Sequence, residues 1–336
     1  MVSEVDNLHL HQHGLVITGS QGLTVRLLEG PYTGKTVKAG NTLLGKMETD
    51  KVFQKGDRVF LVLSVLGDQL VGAVAYDHYR LGIEGLLLVL FAALLIGFAG
   101  WAGVKALLSF FFALLLIWKL LLPTILLGFD PIWMALAIVS LISAIILFLA
   151  AGLSCKALVA WLGAQLGILL TAAMAFLLFP PFRLHGAIQP FSETLLYSGF
   201  DQLNLGRLFI AAVFLGASGA VIDLAIDVSA AMHEVFEKRP DLSSMALIKS
   251  GMVVGRPMAT TMVTTLLMAY VSGYLALLLI LFSKGIPAIQ ILNINYVAAE
   301  ILKTVVGSFG IITVAPFTAL VGGLIMVKGG TAQDKP

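Results

Sequence analysis

The sequence predicts an all-α polytopic membrane protein of about seven transmembrane helices, preceded by a small N-terminal β-barrel-like, OB-like domain. Three observations carry that fold class. The 336 residues are 59% hydrophobic and only 12% charged, and the mean hydropathy of +0.97 lies far above the balance of a soluble domain. From Leu81 onward the apolar character is almost continuous, broken only at short polar, Gly- or Pro-containing stretches. Residues 1–80 are instead polar, glycine-punctuated and built of short alternating runs, the pattern of strands with one buried face.

In the first domain, residues 1–80, the runs LTVRLLE, KTVKAG and DRVFLVLSV read as strands. Gly30-Pro31, Gly34, Gly40, Gly56-Asp57 and Gly67-Asp68 supply the turns, and Gly67-Asp68 closes an expected hairpin from Val59 to Ala75. His9, His11 and His13 in HLHQH fall in an expected frayed tail without Cys or carboxylate ligands around them, so metal binding there is adventitious. No metal site and no cofactor is assigned.

The second domain, residues 81–330, holds spans of roughly 20 residues each. They are expected at 82–100, 105–122, 132–151, 157–179, 205–232, 258–282 and 301–327. Between the fifth and sixth, Leu242 to Arg256 has apolar residues at helical spacing after Ser243-Ser244, which predicts a separate short amphipathic helix exposing Lys249 and Arg256. Pro257 then suits the first turn of the sixth span, and Pro316 is expected to kink the last.

Basic residues in short loops set the orientation, because Lys and Arg are retained on the cytoplasmic side. Lys105, Lys156, the loop with Lys238, Arg239, Lys249 and Arg256, and the tail with Lys328 and Lys335 share one side, against Arg183, Arg207, Lys284 and Lys303 on the other. The C-terminus is therefore expected in the cytoplasm and the β-rich domain outside it. No signal peptide or apolar anchor precedes that domain in the sequence, so the reading expects a truncated start or, failing that, a first span acting as a reverse anchor.

Several function classes fall away. A net charge of +2 with no long basic run excludes a nucleic-acid surface. The lone Cys155 excludes an internal disulfide and a multi-Cys metal site. No P-loop, dinucleotide fingerprint, zincin helix or nucleophile elbow is present, so neither an ATP-driven pump nor an enzyme is expected.

What remains is a polar constellation inside apolar sequence. Asp223 and Asp227 lie in the stretch AVIDLAIDVSAAMHEV, followed by His233 and Glu234, and carboxylates in hydrocarbon are costly unless paired, hydrated or protonated. On a helix, Asp223, Asp227, Glu234 and Glu237 fall within about 80° of one another with Gly216 and Gly219 on the same face. His233 projects beside the stripe near Ser229, and its ordinary pKa lies near neutrality. A plainer reading ends the span near Asp223 and leaves the rest solvated, but Leu224, Ala225, Ile226, Val228, Ala230 and Ala231 keep the run apolar past both aspartates and argue for burial against protein. In the sixth span Thr260, Thr261, Thr264, Thr265 and Ser272 share a face with Met268; interhelical glue and a lining for a hydrated cavity are both consistent with it. Gly251 and Gly255 form a small-xxx-small pair, and Arg256 is placed either as a positive-inside anchor or as a partner for Asp227 or Glu234. Glu300 and Lys303 are spaced for a local pair without a substrate role.

The segments GASGAVIDLAIDVSAAMHEV, LIKSGMVVGRPMATTMVTTLLMAYVSGYLALLL and GSFGIITVAPFTALVGG, from about Gly206 to Gly323, resemble the YibE/F family of bacterial multi-pass membrane proteins. The resemblance implies a permease-like organisation in a bacterial cytoplasmic (inner) membrane, with no substrate named. It places family-characteristic positions at Asp223, Asp227, Ser229, His233, Gly251, Gly255, Arg256, Thr261, Thr265 and Pro316. Pro257 stands where an acidic residue is expected after the arginine, and Thr264 where an asparagine is usual.

Two functions follow as expectations. The first is a permease or secondary transporter in which Asp223 and Asp227 bind a proton or cation, with Ser229, His233, Glu234, Arg256, Thr261, Thr264 and Thr265 around the route. The second is a non-transporting scaffold or assembly factor whose β-rich domain binds a partner. An intramembrane acid pair for catalysis fits poorly, since dyad carboxylates face each other from different segments. The expected partners are the lipid bilayer and a homo-oligomer or paired homologous membrane protein.

Overall fold

The computed structural model describes residues 1–67 and 69–333, the side chains only as far as Val327; Asp68 of the expected hairpin turn and the basic tail side chains at Lys328 and Lys335 lie outside the described residues. The chain forms two compact units, Met1–Leu94 and Leu95–Pro336.

The first unit contains strands β1 (Val2–His13), β2 (Val16–Arg26), β3 (Thr36–Leu44), β4 (Val59–Leu66) and β5 (Gln69–His78). They form one sheet in the order β1-β2-β3-β5-β4, antiparallel except where β3 meets β5. The expected barrel is not closed. Val2 is hydrogen-bonded not to β4 but to the chain entering it, with Val2 N donating to Asp57 O and Gly56 N to Val2 O, each at 2.9 Å. Alternate residues of β2 and β3 point inward, so Leu23, Val25, Ala39, Phe53, Ala73 and Ala75 make the core with Val2. Gln21 is fully buried among them: its amide donates to Asn7 and to Phe53 O, and its carbonyl accepts from Asn41 and Phe53 N. That clasp fixes the 51–53 segment across the sheet. The histidines also correct an expectation, because His9, His11 and His13 are not a frayed tail. They belong to β1, paired with Ser20, Thr18 and Val16.

Among the described residues seven helices are long and apolar enough to cross a membrane: α1 (Leu81–Ala99), α2 (Trp101–Leu126), α3 (Pro131–Ala151), α4 (Cys155–Leu178), α5 (Leu205–Lys238), α6 (Ser244–Gly273) and α7 (Asn295–Gln333, its span ending at Val327). Their starts follow capping chemistry. Asp130, Ser154, Asn204 and Ser243 each accept a backbone N–H of the first turn of α3, α4, α5 and α6. Asp130 also pairs with Arg207, tying the start of α3 to that of α5.

One large core joins α2 to α7, and small residues bring the helices together. An added Cβ at Gly163 would lie 2.8 Å from Thr318 Cα, and one at Gly167 3.1 Å from both Val221 and Val314. The α6 seat uses Gly251, against Met232 and Ala319, and Gly255, against Ala315 and Val228. That seat explains a departure from the sequence reading. Residues 242–256 are not a separate amphipathic helix: α6 runs unbroken from Ser244 through Pro257 to Gly273, and Leu275–Ser283 forms a helix of its own. Packing at Gly251, Gly255, Ala259 and Leu266 sustains the helix across a proline that forfeits one backbone hydrogen bond. Pro316 likewise lies inside the continuous α7.

Candidate functional site

The acidic stripe is present as one ridge along α5. Asp223, Asp227, Glu234 and Glu237 are exposed, as are Gly216, Gly219 and Ala230, while Leu224, Ala225, Val228 and Met232 are wholly buried. Of the apolar neighbours that argued for buried aspartates, Leu224, Ala225 and Val228 thus occupy the opposite side of the helix, whereas Ala230 shares the exposed ridge. At 100° per residue the buried three fill the core-facing side and turn the carboxylates out of it. Among the described residues neither Asp223 nor Asp227 makes a hydrogen bond or an ion pair.

The other expected members are dispersed. Ser229 is fully buried and donates from Oγ to the Lys156 carbonyl at 2.7 Å, locking α5 to the start of α4 instead of joining the stripe. His233 reaches Glu237 at 3.2 Å and Glu234 pairs with Lys238 at 2.8 Å, both one turn along the same helix. The expected partnership of Arg256 with Asp227 or Glu234 does not form. Arg256 is exposed mid-helix and unpaired among the described residues. The α5–α6 connection is closed by Arg239 and Asp241 through two hydrogen bonds of 2.8 Å. Arg239 holds the Asp241 carboxyl below its ordinary pKa, so this exposed contact loosens as pH falls through the carboxylate range.

α5 and α6 run antiparallel, with Met232 at Gly251 and Val228 at Gly255. Continuing that register sets Asp227 level with Arg256 and Asp223 level with Thr260 and Thr261. Arg256 and Thr265 are nine residues apart and thus about 180° apart around α6, so the helix cannot turn both toward α5. Thr260, Thr261, Thr264 and Thr265 are all exposed. Thr260 donates to Pro257 O at 2.7 Å, Thr261 to Met258 O at 2.9 Å and Thr265 to Thr261 O at 2.9 Å. These hydroxyls satisfy themselves on their own helix and keep lone pairs free to accept.

Tyr270 was absent from the sequence expectations. Its hydroxyl lies over Gly216, where an added Cβ would be 2.5 Å from Oη, and it is buried without a hydrogen-bond partner among the described residues. Glu300 and Lys303 form their pair at 2.7 Å with side chains only 13% and 12% exposed. The i,i+3 spacing announced the contact, but nothing in the sequence announced its burial. No group of three or more His, Cys, Asp or Glu among the described residues could hold a metal ion.

Two family models match the chain: YibE/F-like protein over residues 87–328 and the YibE/F family N-terminal domain over residues 11–74. No curated protein and no solved structure matches it.

Proposed function

The chain belongs to the YibE/F family, and from that premise we propose that it is a permease or secondary transporter in which Asp223 and Asp227 bind a proton or small cation. The observation that carries the reading is a pair of carboxylates on successive turns of a membrane-spanning helix, with no internal partner among the described residues. Such groups are costly in hydrocarbon and mark ion or proton routes. Thr261, Thr264 and Thr265 supply oxygen acceptors on the neighbouring helix, with Asp223 level with the first of them. Because the stripe faces out of its own bundle, a second membrane chain, either another copy or a paired homologue, covers it in the working state. In this reading the protein lies in a bacterial inner membrane, and the Lys and Arg bias supports an orientation with residues 1–80 outside and the C-terminus in the cytoplasm.

Reconstituted vesicles test this directly. Wild-type protein should collapse an imposed pH gradient faster than protein-free vesicles, with Na⁺, K⁺ and Mg²⁺ gradients as parallel arms. A hydrophobic carbodiimide, which attacks protonated carboxyls in apolar surroundings, should modify Asp223 or Asp227 by peptide mass spectrometry. Vesicles that hold every gradient, with both aspartates unmodified, would sink the proposal.

A scaffold role is the second reading, favoured by one feature of the sheet. β4 lies at its edge, and Phe60, Val62, Val74 and Tyr76 are 47–64% exposed on the β4–β5 ribbon. Apolar side chains on an edge suit strand addition by a partner. Val62→Lys should then abolish a cellular phenotype while leaving vesicle flux intact; a preserved phenotype rules the edge out.

A further inference from the structure

The length of α1 fixes where one end of the β-rich unit meets the membrane. The helix has 19 residues, which at 1.5 Å each is about 28 Å, barely the thickness of a bilayer's hydrocarbon at about 30 Å. With no length to spare, it must enter hydrocarbon within its first turn, which begins at Leu81 and holds Glu84. Tyr79, two residues earlier, therefore stands in the headgroup layer.

Tyr79 lines a cavity of about 310 Å³ in that same unit, between the end of β2 with the turn after it and the start of β4. Its walls are aliphatic. Leu27 is buried, while Leu61 and Leu63 pack against the domain core and leave their remaining surface to the cavity. Arg26 and Arg58 also line it; both are exposed, and among the described residues neither guanidinium makes an ion pair or a hydrogen bond. The Met1 amine, on the same wall, donates to the Arg26 carbonyl at 2.8 Å, and its pKa is pushed below the ordinary amine value by burial and then by the charge of Arg58. Arg58 thus carries its charge close to this wall. Among the described residues Glu29 is the only carboxylate in the lining, so two guanidiniums stand against one carboxylate and the rim is net positive.

We propose that this cavity holds an anionic phospholipid of the surrounding bilayer, its phosphate on Arg26 and Arg58 and the hydrocarbon nearest its glycerol against Leu27, Leu61 and Leu63. Arginine offers phosphate a fork of N–H donors, and basic groups at headgroup depth are drawn to anionic lipid. A soluble phosphate would leave the leucines uncovered. A zwitterionic lipid would set its own cationic group against a rim that is already positive. The site lies in the other unit from Asp223 and Asp227, so its test is a binding measurement that does not depend on flux.

Full-length protein is reconstituted in vesicles of phosphatidylcholine and phosphatidylglycerol with a trace of phosphatidylglycerol that carries a diazirine at the glycerol end of one acyl chain. Irradiation should label peptides covering residues 25–30 or 58–63, and label on the membrane spans serves as the internal standard. Arg26→Gln combined with Arg58→Gln should lower the cavity label about tenfold or more relative to that standard, whereas Glu29→Gln should preserve or raise it. Both arginines are exposed and unpaired among the described residues, so the double variant should remain folded and monodisperse. A diazirine-bearing phosphatidylcholine should label the cavity at least several-fold less, and excess inorganic phosphate should not displace the label. The proposal is overturned by a wild type with no label in either segment, by undiminished label in the folded double variant, or by equal label from the phosphatidylcholine probe. Displacement by inorganic phosphate would overturn it as well, because the cavity would then be a site for a soluble anion.

Discussion

Replacing Asp223 and Asp227 together with asparagine is expected to reduce gradient-coupled flux in vesicles to the leak of protein-free controls, without loss of folded protein. Asparagine keeps the shape of the side chain but neither carries a charge nor takes up a proton, so the proposed ion or proton step has no acceptor left. The fold should tolerate the change for a reason visible in the structure. Both aspartates are exposed and make no hydrogen bond or ion pair among the described residues, so no partner is orphaned by their loss. Removing carboxylates from a membrane-spanning helix also lowers a desolvation cost, and the unfolding temperature should hold or rise. Stability and transport are thereby separated in one protein. Wild-type flux in the double variant would refute the role assigned to the stripe.

The second large effect concerns assembly of the helices. Gly163→Leu is expected to destabilise the bundle by about 3 kcal/mol or more, the upper end for inserting bulk into a packed core. Even the first carbon has no room, since an added Cβ would stand 2.8 Å from both Cα and Cβ of Thr318. Backbone must move, and α4 and α7 are the pair that must separate. The measurement is the fraction of monodisperse protein after detergent extraction, together with its unfolding temperature. Thr318→Gly should partly rescue Gly163→Ala by deleting the opposing side chain. The Thr318 hydroxyl is buried without a hydrogen-bond partner among the described residues, so its removal sacrifices no bond seen there. Gly97→Leu is the control, because nothing lies within 4 Å of the added carbon. Equal loss at both positions would contradict the packing account.

Much of the fold was legible in the sequence for a simple reason. Hydropathy over a span length and period-two alternation are local properties, and both the helical and the strand-rich regions were strongly patterned. Boundaries set by packing were not legible. Pro257 looked like the start of a helix because its preference for the first turn is local, whereas Gly251 and Gly255 reveal their role only when Met232, Val228, Ala315 and Ala319 stand opposite. Barrel closure failed for a similar reason, since the chain before β4 takes the hydrogen bonds of Val2.

For the candidate site the division is sharper. By itself the sequence determined that Asp223, Asp227, Glu234 and Glu237 share one helical face, because 3.6 residues per turn fixes that wherever the helix goes. Only the tertiary structure decided that this face turns outward, that Ser229 is spent on the Lys156 carbonyl and that Arg256 stays unpaired. It also decided that Glu300 and Lys303, three residues apart on α7, are largely shielded from solvent, with Lys303 beside Phe209 of α5 and Tyr274, which follows α6 directly. Helical phase is a property of the chain alone, while burial and partnership depend on which other helix arrives against each face.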